Sequence, residues 1–406
     1  MEELTIYYVW LSIALGVIAF VVSSWTYPLV LRMARVWKIY DNPNVRKLHR
    51  DPIPVMGGLA VFIGILVCMS VVLTIWFNYR QLLMVLAAAV LLLIGIIDDK
   101  KGLSAVFRLI LEILIVTGLI CVSGNMIDNM NGIFGIDKLS PFIAYPLSII
   151  AGVGIINAIN LIDGVNGYSS GFSILACSGF YVLFIASGLP KLAFVCIIVI
   201  GSMFPFFLHN VFGVKTKMFI GNGGTLMVGT IMTSLIFSIL HNTSACHTWT
   251  AGKGICLIAL LVAIMAIPIF DTLRVMFARI CHGTSPFNAD KTHLHHLFID
   301  FGFSHIGTTL SILFLDSLVV LAWLISWEAG GSMTTQFVVV VLMAVSVTFI
   351  FYPFARLQQR KNTSFFRFFQ KIGRATYWED SPWWRWMQKL MDDELFSKGR
   401  EDHFDE

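Results

Sequence analysis

Long apolar runs alternate with short polar stretches along the chain. Eleven runs of about 17–23 residues carry almost no charge. A helix that crosses a bilayer needs about 20 apolar residues, so each run predicts one transmembrane helix. The predicted spans are 7–29, 55–77, 81–97, 107–123, 142–158, 168–187, 192–208, 224–240, 255–277, 306–327 and 336–352. We therefore expect an all-α, polytopic integral membrane protein.

Composition agrees with this pattern. Of the 406 residues, 57% are hydrophobic and 13% are charged, and the mean hydropathy is +0.80. A soluble domain has about 25% charged residues. This composition excludes a soluble protein.

The positive charges predict an orientation. Of the 28 Lys and Arg residues, 24 fall in the loops of one side, and the other side receives only Arg80, Lys138, Lys191 and Lys253. Because cationic loops stay in the cytoplasm, we expect the amino terminus outside and the carboxyl terminus inside. This bias accounts for the net charge of +4, and no nucleic-acid partner is expected.

Polar residues beyond the needs of a connector occur in the cytoplasmic loops. In the first, Lys47 and His49 could meet an anionic headgroup, although such a cluster also serves as a topology signal. The pair Gly57 and Gly58 in the next span would permit close helix approach.

Two adjacent carboxylates, Asp98 and Asp99, end the third span. They repel each other at a helix C-terminus, where negative charge is unfavourable, and therefore need a cation. Lys100 and Lys101 could supply it. Magnesium with a phosphate ligand is the alternative, because this ion prefers one or two carboxylates plus substrate phosphates.

A polar stripe marks the end of the fifth span. Asn157, Asn160 and Asp163 are spaced three apart, so a helix would place them on one face. The stripe indicates either a functional site or a polar helix contact or cap. Gly164 and Gly167 follow at a predicted break.

A glycine-rich turn around Asn222 precedes the eighth span. Backbone amides at a helix N-terminus favour anions, although a simple turn has the same composition.

Near the ninth span, His293, His295 and His296 follow Lys291. These residues favour an anion-binding loop, with imidazoles neutral or charged near pH 7; zinc is a weaker alternative. Inside the predicted spans, Glu112 and Asp316 are isolated acids and candidates for a proton relay, and Arg108 could pair with Glu112.

Three motifs in this order resemble the polyprenyl-phosphate N-acetylhexosamine-1-phosphate transferase family, closest to its WecA-type branch. They are the Asp98-Asp99 pair, the segment from Asn157 to Gly164, and the stretch from Ser285 to His296. The resemblance covers about residues 41–303.

The resemblance implies transfer of a sugar 1-phosphate, most simply GlcNAc 1-phosphate, from a UDP-N-acetylhexosamine to undecaprenyl phosphate at the cytoplasmic face of a bacterial inner membrane. UMP is released, and a lipid-linked O-antigen, capsule or cell-wall glycan begins. Mg²⁺ is the expected cofactor, with Mn²⁺ as an alternative, and membrane lipids and a homodimer are further expected partners. The candidate residues are Asp98, Asp99 and Asp163 for catalysis, Asn160 and Asn222 for the metal, and Lys47, His49, Asn157, Asn166, Lys291, His293, His295 and His296 for substrate.

Three positions depart from the family pattern. Asn222 stands where a metal-binding aspartate is expected, Asn166 replaces another aspartate, and Lys291 replaces an arginine. The change at Asn222 makes a catalytically weakened relative one alternative. A transporter or flippase of a lipid-linked sugar is another alternative, and only Glu112 and Asp316 favour it. Direct attack by the dianionic lipid phosphate and a covalent aspartyl intermediate both remain open.

The sequence predicts two regions. Residues 1–354 form the transmembrane transferase domain, and residues 355–406 form a basic, aromatic cytoplasmic tail. Six cations and no acid occur between Arg356 and Arg374, interleaved with phenylalanines. This pattern favours an amphipathic segment on an anionic membrane surface, with a partner-binding or disordered tail as the alternative.

Overall fold

The computed structural model describes residues 2–41, 51–285 and 291–392. Helices dominate these ranges. The first eight are α1 (Glu2–Val36), α2 (Gly57–Ile75), α3 (Tyr79–Lys101), α4 (Ala105–Ser123), α5 (Pro141–Leu161), α6 (Tyr168–Ala186), α7 (Pro190–Phe212) and α8 (Gly221–Leu240).

Nine more α-helices and two strand pairs complete the described elements. The helices are α9 (Ala245–Ala251), α10 (Leu257–Ile264), α11 (Ala266–Cys281), α12 (Leu294–Asp300), α13 (His305–Glu328), α14 (Met333–Val345), α15 (Phe351–Arg360), α16 (Ser364–Arg374) and α17 (Pro382–Asp392). A π-helical turn, Ser346–Ile350, joins α14 to α15. The antiparallel pairs are β1 (Tyr40–Asp41) with β2 (Ile53–Pro54), and β3 (Asn129–Ile133) with β4 (Ile136–Lys138).

Ten described helices are long and apolar enough to cross a membrane, and α10 with α11 form an eleventh, bent candidate. The prediction of an all-α, polytopic membrane protein is confirmed. The predicted span 255–277 is not one continuous helix in the structure, because α10 and α11 meet at 72°. The orientation of the termini stays a prediction.

Asp316 satisfies the backbone at this break. Its Oδ1 accepts a hydrogen bond of 2.9 Å from the Ile267 N–H at the start of α11. A helix end inside a membrane protein needs such a partner, because an unpaired N–H is costly in apolar surroundings. The first turn of α11 accommodates Pro268, because a proline has no N–H that would need a partner there. The intramembrane acid is therefore a helix cap.

Helix α8 occupies the centre of the bundle, and nearly all of its residues are buried. Helices α2 and α3 approach its first turn through glycines. A Cβ at Gly58 would clash with the Gly224 backbone, and one at Gly95 would clash with the Gly223 backbone. The predicted close approach at Gly58 is confirmed, and these contacts bring the end of α3 beside the start of α8.

The end of the loop between α1 and α2 also reaches this point. The Gly57 N–H donates to the Phe219 carbonyl at 2.8 Å, and the Gly58 N–H donates to the Ile220 carbonyl at 2.9 Å. The start of α2 is thus hydrogen-bonded to the turn before α8. Three helix ends, those of α2, α3 and α8, meet at one place.

Candidate active site

Asp98 is a buried carboxylate with three hydrogen-bond donors. Its Oδ1 accepts from the Leu103 N–H at 2.7 Å. Its Oδ2 accepts from Arg108 Nη1 at 3.0 Å and from Asn222 Nδ2 at 3.0 Å. The cation that neutralises it is therefore Arg108; the side chains of Lys100 and Lys101 are exposed.

Asp99 faces the start of α8. Its Oδ1 accepts a hydrogen bond of 3.2 Å from the Asn222 N–H. The preceding residue, Gly221, has φ +76°, and a Cβ there would lie 2.5 Å from Asp99 Oδ2. Only glycine suits this position. The helix N-terminus predicted to favour an anion therefore has the Asp99 carboxylate beside it.

The two predicted metal-binding amides contact each other. Asn160 Nδ2 donates to Asn222 Oδ1 at 2.9 Å and to Thr225 Oγ1 at 2.7 Å. Asn222 therefore links α5 to Asp98 on α3, accepting at its oxygen and donating at its nitrogen. The amide at position 222 matches both neighbours, because an aspartate could not donate to Asp98.

Asn157 extends this network away from Asp99. Its Nδ2 donates to Glu112 Oε2, and Arg108 Nε lies 3.5 Å from Glu112 Oε1. The predicted Arg108–Glu112 pair is confirmed. Arg108 thereby bridges two buried carboxylates, Asp98 and Glu112, and Asn157 fixes the second of them.

Asp163 does not share the helix of Asn157 and Asn160, so the predicted stripe is wrong in its last member. Helix α5 ends at Leu161, and Asp163 lies in the following turn. The Ser169 hydroxyl donates to Asp163 Oδ1 at 2.6 Å. The side chain is accessible, but the surrounding protein removes much of its hydration and raises its pKa to about 6.

A buried carboxylate, Asp271, holds the start of the histidine segment. The buried Asp271 accepts hydrogen bonds from Arg274 Nη2 at 2.6 Å and from the Leu294 N–H at 3.1 Å, and its Oδ2 lies 2.9 Å from His293 Nδ1. The Arg274 guanidinium also lies over the Tyr352 ring, 3.8 Å from its centroid. We call Asp271, Arg274, His293, His295 and His296 together the histidine arm.

The three histidines differ in position. His293 and His295 are buried, and the His295 ring fills the space in which Gly164 would carry a Cβ. Burial lowers the pKa of His296 to about 4 and also lowers that of His295, which favours neutral rings.

A cavity of about 710 Å³ joins these parts. This volume lies in the range of small-molecule sites. Its polar lining includes Asp41, Asp99, Asp163, Asn166, Asn222 and His296. Among the described residues that line the cavity, His296 is present and His293 and His295 are not.

Several predicted residues lie elsewhere. Asn157 and the carboxylate of Asp98 belong to the buried network, and the described cavity lining includes neither them nor Asn160 and Lys291. Lys47 and His49 fall outside the described residues, as does the stretch 286–290.

The cavity offers oxygen donors of the kind that Mg²⁺ prefers: the carboxylates of Asp99 and Asp163 and the amide of Asn222. Within the described ranges, no three His, Cys, Asp or Glu side chains gather as a metal site. A magnesium ion here would need substrate phosphate oxygens to complete its shell. The donor set fits that arrangement.

Comparison with known proteins yields a family. Residues 81–240 match the model of glycosyl transferase family 4. A probable undecaprenyl-phosphate N-acetylglucosaminyl 1-phosphate transferase of Bacillus subtilis (strain 168) is 31% identical over 360 residues, or 85% of this chain and 96% of the relative. The chain belongs to glycosyl transferase family 4.

Two further relatives are enterobacterial. Undecaprenyl-phosphate alpha-N-acetylglucosaminyl 1-phosphate transferases of Yersinia pestis and Escherichia coli O157:H7 are each 30% identical to this transferase, over 66% and 72% of the chain and 71% and 78% of the relatives.

The matched range contains the acid–amide part of the site. Asp98, Asp99, Asn160, Asp163 and Asn222 all fall within residues 81–240. The histidine arm lies beyond that range.

Sequence reasoning missed part of the cavity wall of this transferase. Asp41, Lys217 and His305 line the cavity beside the predicted residues, and Glu379 and Gln388 line it from the carboxy-terminal tail. Lys217 lies directly before the glycine-rich turn, which was a usable signal. No motif marks Glu379 or Gln388.

Proposed function

We propose that this protein transfers N-acetylglucosamine 1-phosphate from UDP-N-acetylglucosamine to undecaprenyl phosphate and releases UMP. The observation that carries the proposal is the convergence of Asp98, Asp99 and Asn222 at the ends of apolar helices, beside an open cavity. A lipid phosphate in the membrane and a water-soluble nucleotide sugar can meet at such a place. The names of the relatives agree with it.

The reaction exchanges one phosphorus–oxygen bond for another. An oxygen of the lipid phosphate attacks the phosphorus that carries the sugar, and the bond from that phosphorus to the bridging oxygen breaks. The electron pair leaves with UMP. A phosphate monoester is largely dianionic at pH 7 because its second pKa is near 6, so the attacking oxygen has no proton to lose. We therefore favour direct attack over an aspartyl intermediate.

Asp98 and Asp99 have different tasks in this scheme. Asp98 is neutralised by Arg108 and holds Asn222 in place. Asp99 lines the cavity and holds the first turn of α8 through the Asn222 N–H. Asp98 is thus a positioning residue, and Asp99 is the carboxylate available to the reacting groups.

Magnesium would neutralise the pyrophosphate and the leaving phosphate when bound. Asp99 and Asp163 would hold it, with the amide oxygen of Asn222 beside them. Asn160 keeps the Asn222 side chain oriented through the 2.9 Å hydrogen bond. We expect chelation by EDTA to abolish UMP release and Mg²⁺ to restore it.

We assign the enzyme to the cytoplasmic membrane of a bacterium, with the cavity on the cytoplasmic face. The multi-pass fold and the bacterial relatives support the membrane, and the distribution of Lys and Arg supports the face.

The two acids that favoured a transporter have structural partners. Glu112 pairs with Arg108 and Asn157, and Asp316 caps α11. Both are engaged in holding the fold. Glu112 and Asp316 therefore give little support to a transporter.

The proposal is tested with the full-length protein in detergent or in membranes. Undecaprenyl phosphate, Mg²⁺ and a panel of UDP-sugars are supplied, and UMP release is measured. We expect release with UDP-N-acetylglucosamine and none without the lipid phosphate. UMP release without lipid phosphate would argue for a covalent intermediate, and no release with any UDP-sugar would overturn the function.

A further inference from the structure

The carboxy-terminal tail contributes residues to the lining of the cavity. Residues 376–392, which we call the strap, include α17 and lie outside the range 81–240 that matches the family. Three strap residues, Glu379, Trp384 and Gln388, line the cavity. The strap is therefore part of the site's wall.

One end of the strap is anchored at the start of α13. The Ser304 N–H donates to Thr376 Oγ1 at 3.0 Å, and the Ser304 hydroxyl donates to the Thr376 carbonyl at 2.7 Å. Gly307, in the first turn of α13, has no room for a Cβ because Thr376 occupies that space. This end is packed closely against the helix that carries His305.

The other end is anchored by a carboxylate. Asp392 Oδ1 accepts hydrogen bonds from the successive N–H groups of Val214, Lys215 and Thr216, at 3.0, 3.1 and 3.2 Å. Hydrogen bonds to a charged acceptor are the stronger kind. This anchor fixes the loop that leads to Lys217 in the cavity wall.

Between the anchors, Trp384 fastens the middle of the strap. It is 5% exposed, and its ring centroid lies 4.6 Å from that of Phe212. With the strap in place the cavity still measures about 710 Å³. The strap therefore bounds the cavity and does not fill it.

The polar groups that the strap contributes suit hydroxyls. Glu379 offers a carboxylate, which accepts from hydroxyls and repels phosphate, and Gln388 offers an amide that both donates and accepts. A prenyl chain has no group for either. The nucleotide sugar carries hydroxyls on its ribose and on its hexose.

We propose that the strap is a wall of the donor-sugar site and that Gln388 hydrogen-bonds the hydroxyl-bearing part of the nucleotide sugar. This inference rests on the proposed function. It predicts that changes in the strap, which lies beyond residues 81–240, alter the affinity for the donor and leave the affinity for the lipid phosphate unchanged.

The test compares Gln388→Ala with Arg385→Ala on the same helix; Arg385 is 67% exposed and pairs with the exposed Asp380. We expect Gln388→Ala to raise KM for UDP-N-acetylglucosamine about 5-fold, the loss of roughly one hydrogen bond, with kcat and KM for undecaprenyl phosphate within 2-fold. Arg385→Ala should match the wild type. An unchanged donor KM, or an equal rise in both KM values, would overturn the inference.

A binding measurement separates this inference from the proposed function. Thermal stabilisation of the full-length protein by UDP-N-acetylglucosamine with Mg²⁺ needs no turnover. If the wild type is stabilised and Gln388→Ala is stabilised equally at every concentration, the inference alone fails. If the wild type is not stabilised and releases no UMP, the proposed function fails and the inference falls with it.

A second pair of variants tests the anchor. Asp392→Ala removes the acceptor of three N–H groups, and we expect a rise of about 10-fold or more in donor KM as the strap and Lys217 move. Asp380→Ala is the matched control, because its carboxylate is fully exposed. Equal donor KM values for the two variants would show that the anchored strap does not shape the donor site.

Discussion

Two buried carboxylates, Asp98 and Asp271, are held in the same way and serve different ends. Each is neutralised by an arginine of its own neighbourhood and also accepts a backbone N–H. Asp98 accepts a hydrogen bond from Asn222, which lines the cavity. Asp271 contacts His293, which is buried and does not line the described cavity.

The difference lies in what is attached to each carboxylate. Around Asp98 the network ends in Asp99 and Asn222, which open into the cavity. In the histidine arm, His293 contacts Asp271 and His295 packs against Gly164, and only His296 reaches the described cavity lining. The same kind of ion pair thus supports residues that face the cavity at one place and buried residues at the other. Substitutions in the two regions should separate activity from stability.

The largest expected effect is the loss of activity in Asp99→Asn. The substitution keeps the volume and removes the cavity-facing charge, so we expect UMP release to fall at least about 100-fold with thermal stability near that of the wild type. Asp137→Asn, on the exposed strand β4, is the control. Activity within 10-fold of the wild type would remove Asp99 from the reaction.

Asn222→Asp tests whether the site is built around an amide. A carboxylate at 222 would face the Asp98 carboxylate across the 3.0 Å now bridged by an N–H donor. Like charges at this distance repel, so we expect UMP release to fall about 10-fold. A large gain in rate would instead identify this protein as a weakened member of its family.

Asp271→Asn is expected to act on stability first. It leaves the buried Arg274 without its counter-charge, and breaking a buried pair costs about 3–5 kcal/mol. The melting temperature in detergent should fall, while the folded fraction keeps UMP release within several-fold of the wild type. A variant of unchanged stability that has lost more than 100-fold in activity would place Asp271 beside Asp99 as a functional carboxylate.

The sequence was sufficient for the transmembrane architecture because apolar runs report directly on the bilayer. It also indicated the acid–amide cluster, since Asp98, Asn160 and Asn222 are polar residues at the ends of apolar helices. The prediction that Asp163 shares a helix with Asn157 and Asn160 is wrong. The spacing of three residues fits a helix, but α5 ends at Leu161.

The roles within each motif depended on tertiary partners. Spacing alone gave Asp98 and Asp99 one role, and the approach of Arg108 and Gly221 separated them. The three histidines likewise look equivalent in the sequence. The structure distinguishes them, because His295 packs against Gly164 and His293 contacts Asp271. The strap had no local signal, because its place at the cavity depends on contacts between residues such as Thr216 and Asp392, far apart in the chain.

The smallest expected effect concerns the charge of His296. Burial lowers its pKa from the ordinary value of 6.5, which the unfolded chain keeps, to about 4 in the folded protein. The unfolded chain therefore binds more protons between these two values. The stability of the folded state is unaffected above pH 6.5 and falls as the pH decreases toward 4, by less than about 2 kcal/mol at pH 5 because the ring is partly solvated. The charged or titratable groups around the ring are His293, His295, Lys291, Asp300 and Arg356.

His296→Gln should reduce the fall in melting temperature between pH 7 and pH 5, and His282→Gln, at an exposed histidine, should leave that fall unchanged. Because the lowered pKa keeps His296 neutral above pH 6.5, we expect its titration to leave UMP release unchanged between pH 6.5 and 8. If His296→Gln removed a loss of activity centred near pH 6.5, the ring would carry a charge in the working enzyme. The histidine arm would then contribute electrostatically to the cavity, and its contrast with the Asp98 network would disappear.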